Sequence, residues 1–188
     1  MSTDPSQARE SVWTPANVVT TIRAVLIPLW MVLAGLAVAV FYILLSATDK
    51  LDGYLARSRN EVTVFGKFLD PIADKLVVVT ALLYLIEQGL VPVWMVFVIV
   101  AREFVISGVR MVVATEGVVI AASNLGKYKT ASTMTSISGY LVWLALPAGP
   151  IAEAVWWASL VLMWVAVALT AWSGVDYVVK SKDYLLKG

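Results

Sequence analysis

Four aspartates stand where two neighbouring apolar segments meet the polar stretch between them: Asp49 and Asp52 near the end of one, Asp70 and Asp74 near the start of the next. At about 100° per residue, Asp49, Asp52, Gly53 and Ala56 share one stripe of a helix, and Gly66, Asp70 and Asp74 share one stripe of the following helix. Carboxylates so placed can face each other across a hairpin. Within a membrane segment each costs roughly 2.5–3.5 kcal/mol, so four cost on the order of 10 kcal/mol unless something offsets them. Divalent cations would do so. An oxygen-only donor set suits magnesium or manganese, and two such ions about 3.5–4 Å apart form a clamp used in phosphoryl chemistry. Gly53, Ala56 and Gly66, small residues on the same stripes, leave room for a ligand to approach the backbone. Ordinary ion pairing with Lys50, Arg57, Lys67 or Lys75 would account for one aspartate near a helix end. It does not account for four on facing stripes beside three small residues.

The rest of the inventory is narrow. The chain has no histidine and no cysteine, which removes the usual general base, the usual zinc ligand, thiolate metal sites, cysteine nucleophiles and disulfides. Chemistry must rest on carboxylates, lysines and arginines. A second set of such residues is basic: Arg102, Arg110 and Lys127. Arg102 and Arg110 lie eight apart, about 800° of helical rotation or 80° past two full turns, so both can lean to one side. Acid is scarce in the apolar segment around them, and Glu103 is expected to pair with only one of the two. An arginine left unpaired there needs an anion, and its fork binds phosphate oxygens in pairs. Lys129, a basic residue near a helix end, reads instead as a snorkelling anchor.

The elements that must position these residues are membrane helices. Of the 188 residues 60% are hydrophobic, and the mean hydropathy is +0.84, well above what a soluble domain carries. Apolar segments run at about 18–35, 37–57, 67–88, 91–114, 127–147 and 152–174, each near the ~20 residues needed to cross the hydrocarbon layer. The expectation is an all-α integral membrane protein of six transmembrane helices. Residues 1–17 form a tail or interfacial helix, and residues 18–188 form the catalytic domain. The first two segments merge around Gly35, where a short turn is inferred from length alone. Pro71 is expected in the first turns of its helix, where its missing N–H does least harm. With a net charge of +1, only charge placement is informative, and nothing favours nucleic acid as a partner.

The run Asp49–Asp74 fits the pattern D-x2-D-G-x2-A-R-x8-G-x3-D-x3-D, whose eight fixed positions match by chance on the order of once in ten billion starts. It resembles the signature of the CDP-alcohol phosphotransferase family. The resemblance implies that family's six-helix fold, a homodimer, and two divalent cations, Mg2+ or Mn2+, held by Asp49, Asp52, Asp70 and Asp74. It implies a CDP-linked lipid donor, CDP-diacylglycerol, bound over Gly53, Ala56, Arg57 and Gly66, with Asp74 taking the acceptor's proton. Further likeness, to the branch whose acceptor is sn-glycerol 3-phosphate, lies in Thr14-Pro15-Ala16-Asn17 with Thr20 and Arg23, in Phe65–Lys75, in Ala101-Arg102-Glu103 with Ser107–Arg110, and in Gly126–Thr130. It implies that Asn17, Thr20 and Arg23 join the donor site, and that Arg102, Arg110 and Lys127 bind the acceptor's phosphate. One departure is the very short connection near Gly35, where a longer polar loop is expected of the family. Alternatives within the fold are a cardiolipin synthase and a phosphatidylinositol-phosphate synthase. An ion or proton transporter would scatter its acids along a transmembrane path, whereas these gather at one end of one hairpin.

Lysines and arginines alternate between connections: Arg9, then Arg57, Arg59 and Lys67, then Lys127 and Lys129, then Lys180, Lys182 and Lys187, with none near 36, 89 or 149. By the positive-inside rule both termini and the aspartate cluster face the cytoplasm, and the resemblance implies that the membrane is the inner one, its lipids surrounding the helices. Trp13, Trp94, Trp156 and Trp157 near segment ends fit an aromatic belt. A cysteine placed at Ser58 or Ser123 is therefore expected to react with an impermeant thiol reagent from the cytoplasmic side, and one at Gly89 or Gly149 from the opposite side. Labelling of Ser58 from outside would invert the topology.

Overall fold

The computed structural model describes residues 15–30, 38–40, 42–44, 64–115 and 124–185, all of it helix and connecting turn with no strand among the described residues. Five helices are bounded there: α1 Pro15–Trp30, α2 Val64–Glu87, α3 Val93–Thr115, α4 Asn124–Ala145 and α5 Pro150–Leu185. The chain divides into two compact units, residues 1–81 and 82–188, with the division falling inside α2.

Proline and glycine set the ends. Pro15 and Pro150 open α1 and α5, positions where an amide proton has no helical partner to lose. Gly89 closes α2 in the left-handed region, with φ of 70°. Its N–H donates to the carbonyl of Ile86 at 2.9 Å, and that of Leu90 donates to the carbonyl of Leu85 at 3.0 Å. This pairing satisfies the last carbonyls of the helix and needs a residue without a Cβ at the turn. Pro92 then leads into α3, its carbonyl accepting from the N–H of Met95 at 3.1 Å.

In the first unit the buried positions of α1 are Asn17, Thr20 and Ile27, and those of α2 are Ala73, Val77, Thr80 and Ala81, with Val38, Ala39 and Tyr42 buried between them in sequence. Spacings of three and four mark one buried face on each helix.

In the second unit α5 runs along both α3 and α4. Small and hydroxyl residues bring α4 and α5 together. The hydroxyl of Ser136 donates to the carbonyl of Ser159 at 2.7 Å, and a Cβ placed on Gly139 would lie 2.2 Å from Ser159 Oγ and 3.3 Å from Ser159 Cβ. Close backbone approach of this kind lets dispersion contacts join helices where lipid leaves little hydrophobic driving force. Other buried hydroxyls bond within their own helix: Thr133 to Lys129 at 2.9 Å, Thr170 to Ala166 at 2.6 Å and Ser181 to Tyr177 at 2.8 Å, each to the carbonyl four residues back. None of these polar groups needs water. Trp94 of α3 and Trp164 of α5 add a tilted ring pair with centroids 5.6 Å apart.

Along α5 the outer surface is apolar: Ile151, Trp157, Val161, Trp164, Trp172 and Val175 are all exposed. A surface of that kind suits a hydrocarbon solvent rather than water, and the protein associates with membrane. Within α5, Pro150–Lys182 is long and apolar enough to cross a bilayer, with mean hydropathy 1.9. It is the one such stretch among the described residues. Helices α2, α3 and α4, with 24, 23 and 22 residues, reach about 33–36 Å, but charged side chains interrupt α2 and α3 and hydroxyls dilute α4. Helices also extend beyond their apolar segments: α1, α2 and α4 begin three residues earlier, at Pro15, Val64 and Asn124, and α5 continues to Leu185. The latter's final turns are held by Lys180 pairing with Asp176 at 2.8 Å and by buried Tyr177 and Ser181, features that a hydropathy reading passes over.

The α4–α5 contact yields a test. Gly139→Ala should lower the thermal midpoint of the detergent-solubilised protein by the equivalent of about 1–3 kcal/mol, the usual cost of overpacking. Adding Ser159→Ala should restore part of the loss, because the Ser159 hydroxyl is the first atom the new methyl meets. An unchanged midpoint in Gly139→Ala would mean that the two helices are not held at this separation.

Candidate active site

In the first unit, α2 carries Gly66, Asp70 and Asp74 at intervals of four along one unbroken helix. Each step advances about 40° beyond a full turn, so the three positions keep to one stripe. Pro71 lies about two turns into α2, deeper than its expected place in the first turns. It therefore removes a rung of the backbone ladder, the one that would end on the carbonyl of Lys67. Asp74 is half-buried, flanked by the fully buried Ala73 and, one turn on, by buried Val77. On α1, Asn17 and Thr20 are both buried and three apart, and the Asn17 carbonyl also accepts from the Thr21 hydroxyl at 2.8 Å. Arg23 belongs to α1, but its side chain, like that of Asp70, lies outside the described residues, as do Asp49, Asp52, Gly53, Ala56 and Arg57 altogether.

Among the described residues no three acidic, histidine or cysteine side chains gather about one point. The donor chemistry is nonetheless consistent for a hard cation. All four candidate ligands are carboxylates, and Asp70 and Asp74 are one helical turn apart, where two side chains of one helix can reach a common ion.

The second unit holds the basic residues. Glu103 of α3 accepts from Arg102 at 3.1 Å and also from Lys129 of α4. Glu103 thus pairs with Lys129 as well as with one arginine, and Lys129 is no snorkelling anchor: it is 5% exposed and its ammonium is bound to a carboxylate on another helix. The three charges sum to +1. Arg110 lies two turns further along α3, and its guanidinium carbon sits 5.5 Å from the ring centroid of Tyr177 on α5. Arg102 reaches the same helix. Its Cγ would lie 3.1 Å from a Cβ on Gly174, while its Nε is buried without a hydrogen-bond partner among the described residues. Both arginines therefore lean toward α5, as their spacing permits. Lys127, at the start of α4, is exposed.

The residues not foreseen are Lys129 as a buried partner, and Gly174 and Tyr177 as neighbours of the arginines. Tyr177 lay beyond the apolar segment that ended at 174, and nothing in its local sequence distinguishes it from other interfacial tyrosines.

With helices, aspartate stripe and arginines in place, comparison with known sequences defines the class. The chain belongs to the CDP-alcohol phosphatidyltransferase family, whose sequence profile matches residues 13–172, a stretch that contains every site residue expected from the sequence, from Asn17 to Lys127. It is a phosphatidyltransferase enzyme. More particularly, it is similar to proteins named CDP-diacylglycerol–glycerol-3-phosphate 3-phosphatidyltransferase. That of Bacillus subtilis is 40% identical over 191 residues, covering 90% of this chain and 95% of the relative. That of Haemophilus influenzae is 34% identical, covering 89% and 92%. That of Rickettsia bellii is 37% identical, covering 81% and 82%.

The shared carboxylate gives a stability test. Lys129→Met should lower the thermal midpoint by the equivalent of about 1–3 kcal/mol, the cost of leaving a partly buried charge one partner short. Lys127→Met, at an exposed position, should leave it unchanged. Equal effects of the two would mean that the Lys129–Glu103 pair does not bear on the fold.

Proposed function

We propose that the enzyme transfers a phosphatidyl group from CDP-diacylglycerol to sn-glycerol 3-phosphate, giving phosphatidylglycerol phosphate and CMP in phospholipid biosynthesis. The observation that carries this reading is the near full-length likeness to glycerol-3-phosphate phosphatidyltransferases, in a chain that keeps every fixed position of the aspartate pattern.

Asp49, Asp52, Asp70 and Asp74 hold two divalent cations, magnesium or manganese, which when bound offset the negative charge of the donor's pyrophosphate and of the departing CMP. Asn17, Thr20, Arg23, Gly53, Ala56, Arg57 and Gly66 bind the CDP-lipid. The small residues admit the nucleotide close to the backbone, and the arginines meet its phosphates. Asp74 accepts the proton of an acceptor hydroxyl. The oxygen so freed attacks the lipid-side phosphorus, a new P–O bond forms, and the bond from that phosphorus to the bridging oxygen breaks as CMP leaves. Arg102, Arg110 and Lys127 hold the acceptor's phosphate. Glu103 leaves the Arg102–Lys129 group one positive charge, and Arg110 and Lys127 keep theirs, so the set suits a small dianion better than a neutral or lipid acceptor. Six membrane crossings, both termini and the active site on the cytoplasmic side of the inner membrane, and a homodimer complete the proposal.

Asp49→Asn, Asp52→Asn, Asp70→Asn and Asp74→Asn should each abolish CMP release by purified protein while leaving insertion and folding intact, since the neutral amide is easier to insert than the carboxylate. Chelation should stop the reaction, and magnesium or manganese should restore it. Given CDP-diacylglycerol with glycerol phosphate, inositol phosphate, serine or phosphatidylglycerol, wild-type protein should release CMP with glycerol phosphate alone. Near-normal turnover in two of the four variants would end the two-cation reading, and release with another acceptor would reassign the substrate.

A further inference from the structure

We infer that Tyr177 is a positioning residue for the acceptor: its ring holds the Arg110 guanidinium in place without neutralising it, so that the arginine's N–H edge stays available for phosphate. The inference rests on the reading of Arg110 as an acceptor ligand.

The argument starts from how α5 treats the two arginines. It offers Arg102 empty space and Arg110 a surface. At Gly174 a Cβ would lie 3.1 Å from Arg102 Cγ, closer than most Cβ contacts, so the side chain crosses α5 where α5 has no side chain. Three residues on, on the same side of the helix, Tyr177 puts its ring beneath Arg110 at 5.5 Å. That ring is itself fixed, because Tyr177 is 6% exposed. Its hydroxyl is buried with no hydrogen-bond partner among the described residues.

A carboxylate in this place would be the stronger holder, and one is near. Asp176 adjoins Tyr177, but its Oδ2 accepts from Lys180 at 2.8 Å, a pair one turn apart along α5. Asp176 is thereby engaged with its own helix, and Arg110 is left with a π face. The distinction is chemical. A carboxylate binds the N–H edge of a guanidinium, the same edge a phosphate uses, whereas an aromatic ring takes the flat face and leaves that edge open. Arg102 shows the other arrangement, since Glu103 occupies its Nη1 at 3.1 Å. Among the described residues no salt bridge holds Arg110, so of the two arginines it is the one ready to meet an incoming dianion without breaking one. A side chain with several rotatable bonds loses affinity when it must be ordered on binding, and the ring supplies that order beforehand.

The test compares Tyr177→Phe, which keeps the ring, with Tyr177→Leu, which removes it. Tyr177→Leu should raise the apparent KM for glycerol phosphate by roughly two- to tenfold, the range of a guanidinium–ring contact, with kcat and the KM for CDP-diacylglycerol little changed. Tyr177→Phe should behave as wild type in all three. Combined with Arg110→Ala, Tyr177→Leu should add nothing to the effect of Arg110→Ala alone. The ring contact has its own readout in 15N-arginine-labelled protein in detergent micelles. The Arg110 Nε–Hε resonance, assigned by its absence in Arg110→Ala, should be ring-shifted in wild type and Tyr177→Phe and lose that shift in Tyr177→Leu. If Arg110→Ala raises the KM for glycerol phosphate but Tyr177→Leu does not, or if Tyr177→Phe is as impaired as Tyr177→Leu, positioning by the ring is wrong while the acceptor reading stands. If Arg110→Ala spares glycerol phosphate, the acceptor reading itself falls, and the role given to Tyr177 falls with it even where the ring shift is present.

Discussion

Charge held among apolar helices must be answered where it lies, because neither water nor counterions reach it at low cost. Glu103 is where the second unit meets this constraint. One carboxylate accepts from Arg102 beside it and from Lys129 on the next helix, and the latter contact ties α3 to α4 by charge. Removing either cation would leave the other to hold the acid alone. The buried hydroxyls obey the same constraint by turning to carbonyls of their own helix or, in Ser136, to that of α5. These serine and threonine hydroxyls each have a protein partner, and the Ser136 bond to Ser159 holds α4 close to α5.

The two groups of ionisable residues differ in make-up. The arginines and Lys129 are largely answered within the protein, by Glu103 and by the Tyr177 ring. The aspartates outnumber the bases on their stripes. Gly66, Asp70 and Asp74 recur at intervals of four on α2, with no base at that interval. Carboxylates are the donors a hard cation takes, and the stripe lies within the stretch matched by the CDP-alcohol phosphatidyltransferase family.

Much of this was legible in the residues themselves. The aspartate pattern needed only spacing, and the helical stripe of Gly66, Asp70 and Asp74 follows from period alone. The lean of Arg102 and Arg110 to one side also followed, since rotation along a helix is a local property. What escaped was whatever depends on two helices at once. Lys129 has the local sequence of an interfacial lysine, and only the approach of α4 to α3 buries it against Glu103. Helix ends escaped for another reason. Hydropathy registers where a segment stops being apolar, not where it stops being helical, so the polar turns of α5 around Asp176 and Lys180 were left out together with Tyr177.

The length of α5 has a consequence of its own. Thirty-six residues make a rod of about 54 Å, against a hydrocarbon layer of about 30 Å, so the helix must either project well beyond the layer or lie aslant in it. Membranes of different thickness are accommodated by different tilts. Gly174 and Tyr177 are borne on this rod together with the exposed tryptophans Trp157, Trp164 and Trp172, so the surface that receives the two arginines is mechanically continuous with the surface that feels the lipid. The thickness of the bilayer, a property set by the acyl chains of its lipids, thereby acts on the same helix that meets the two arginines.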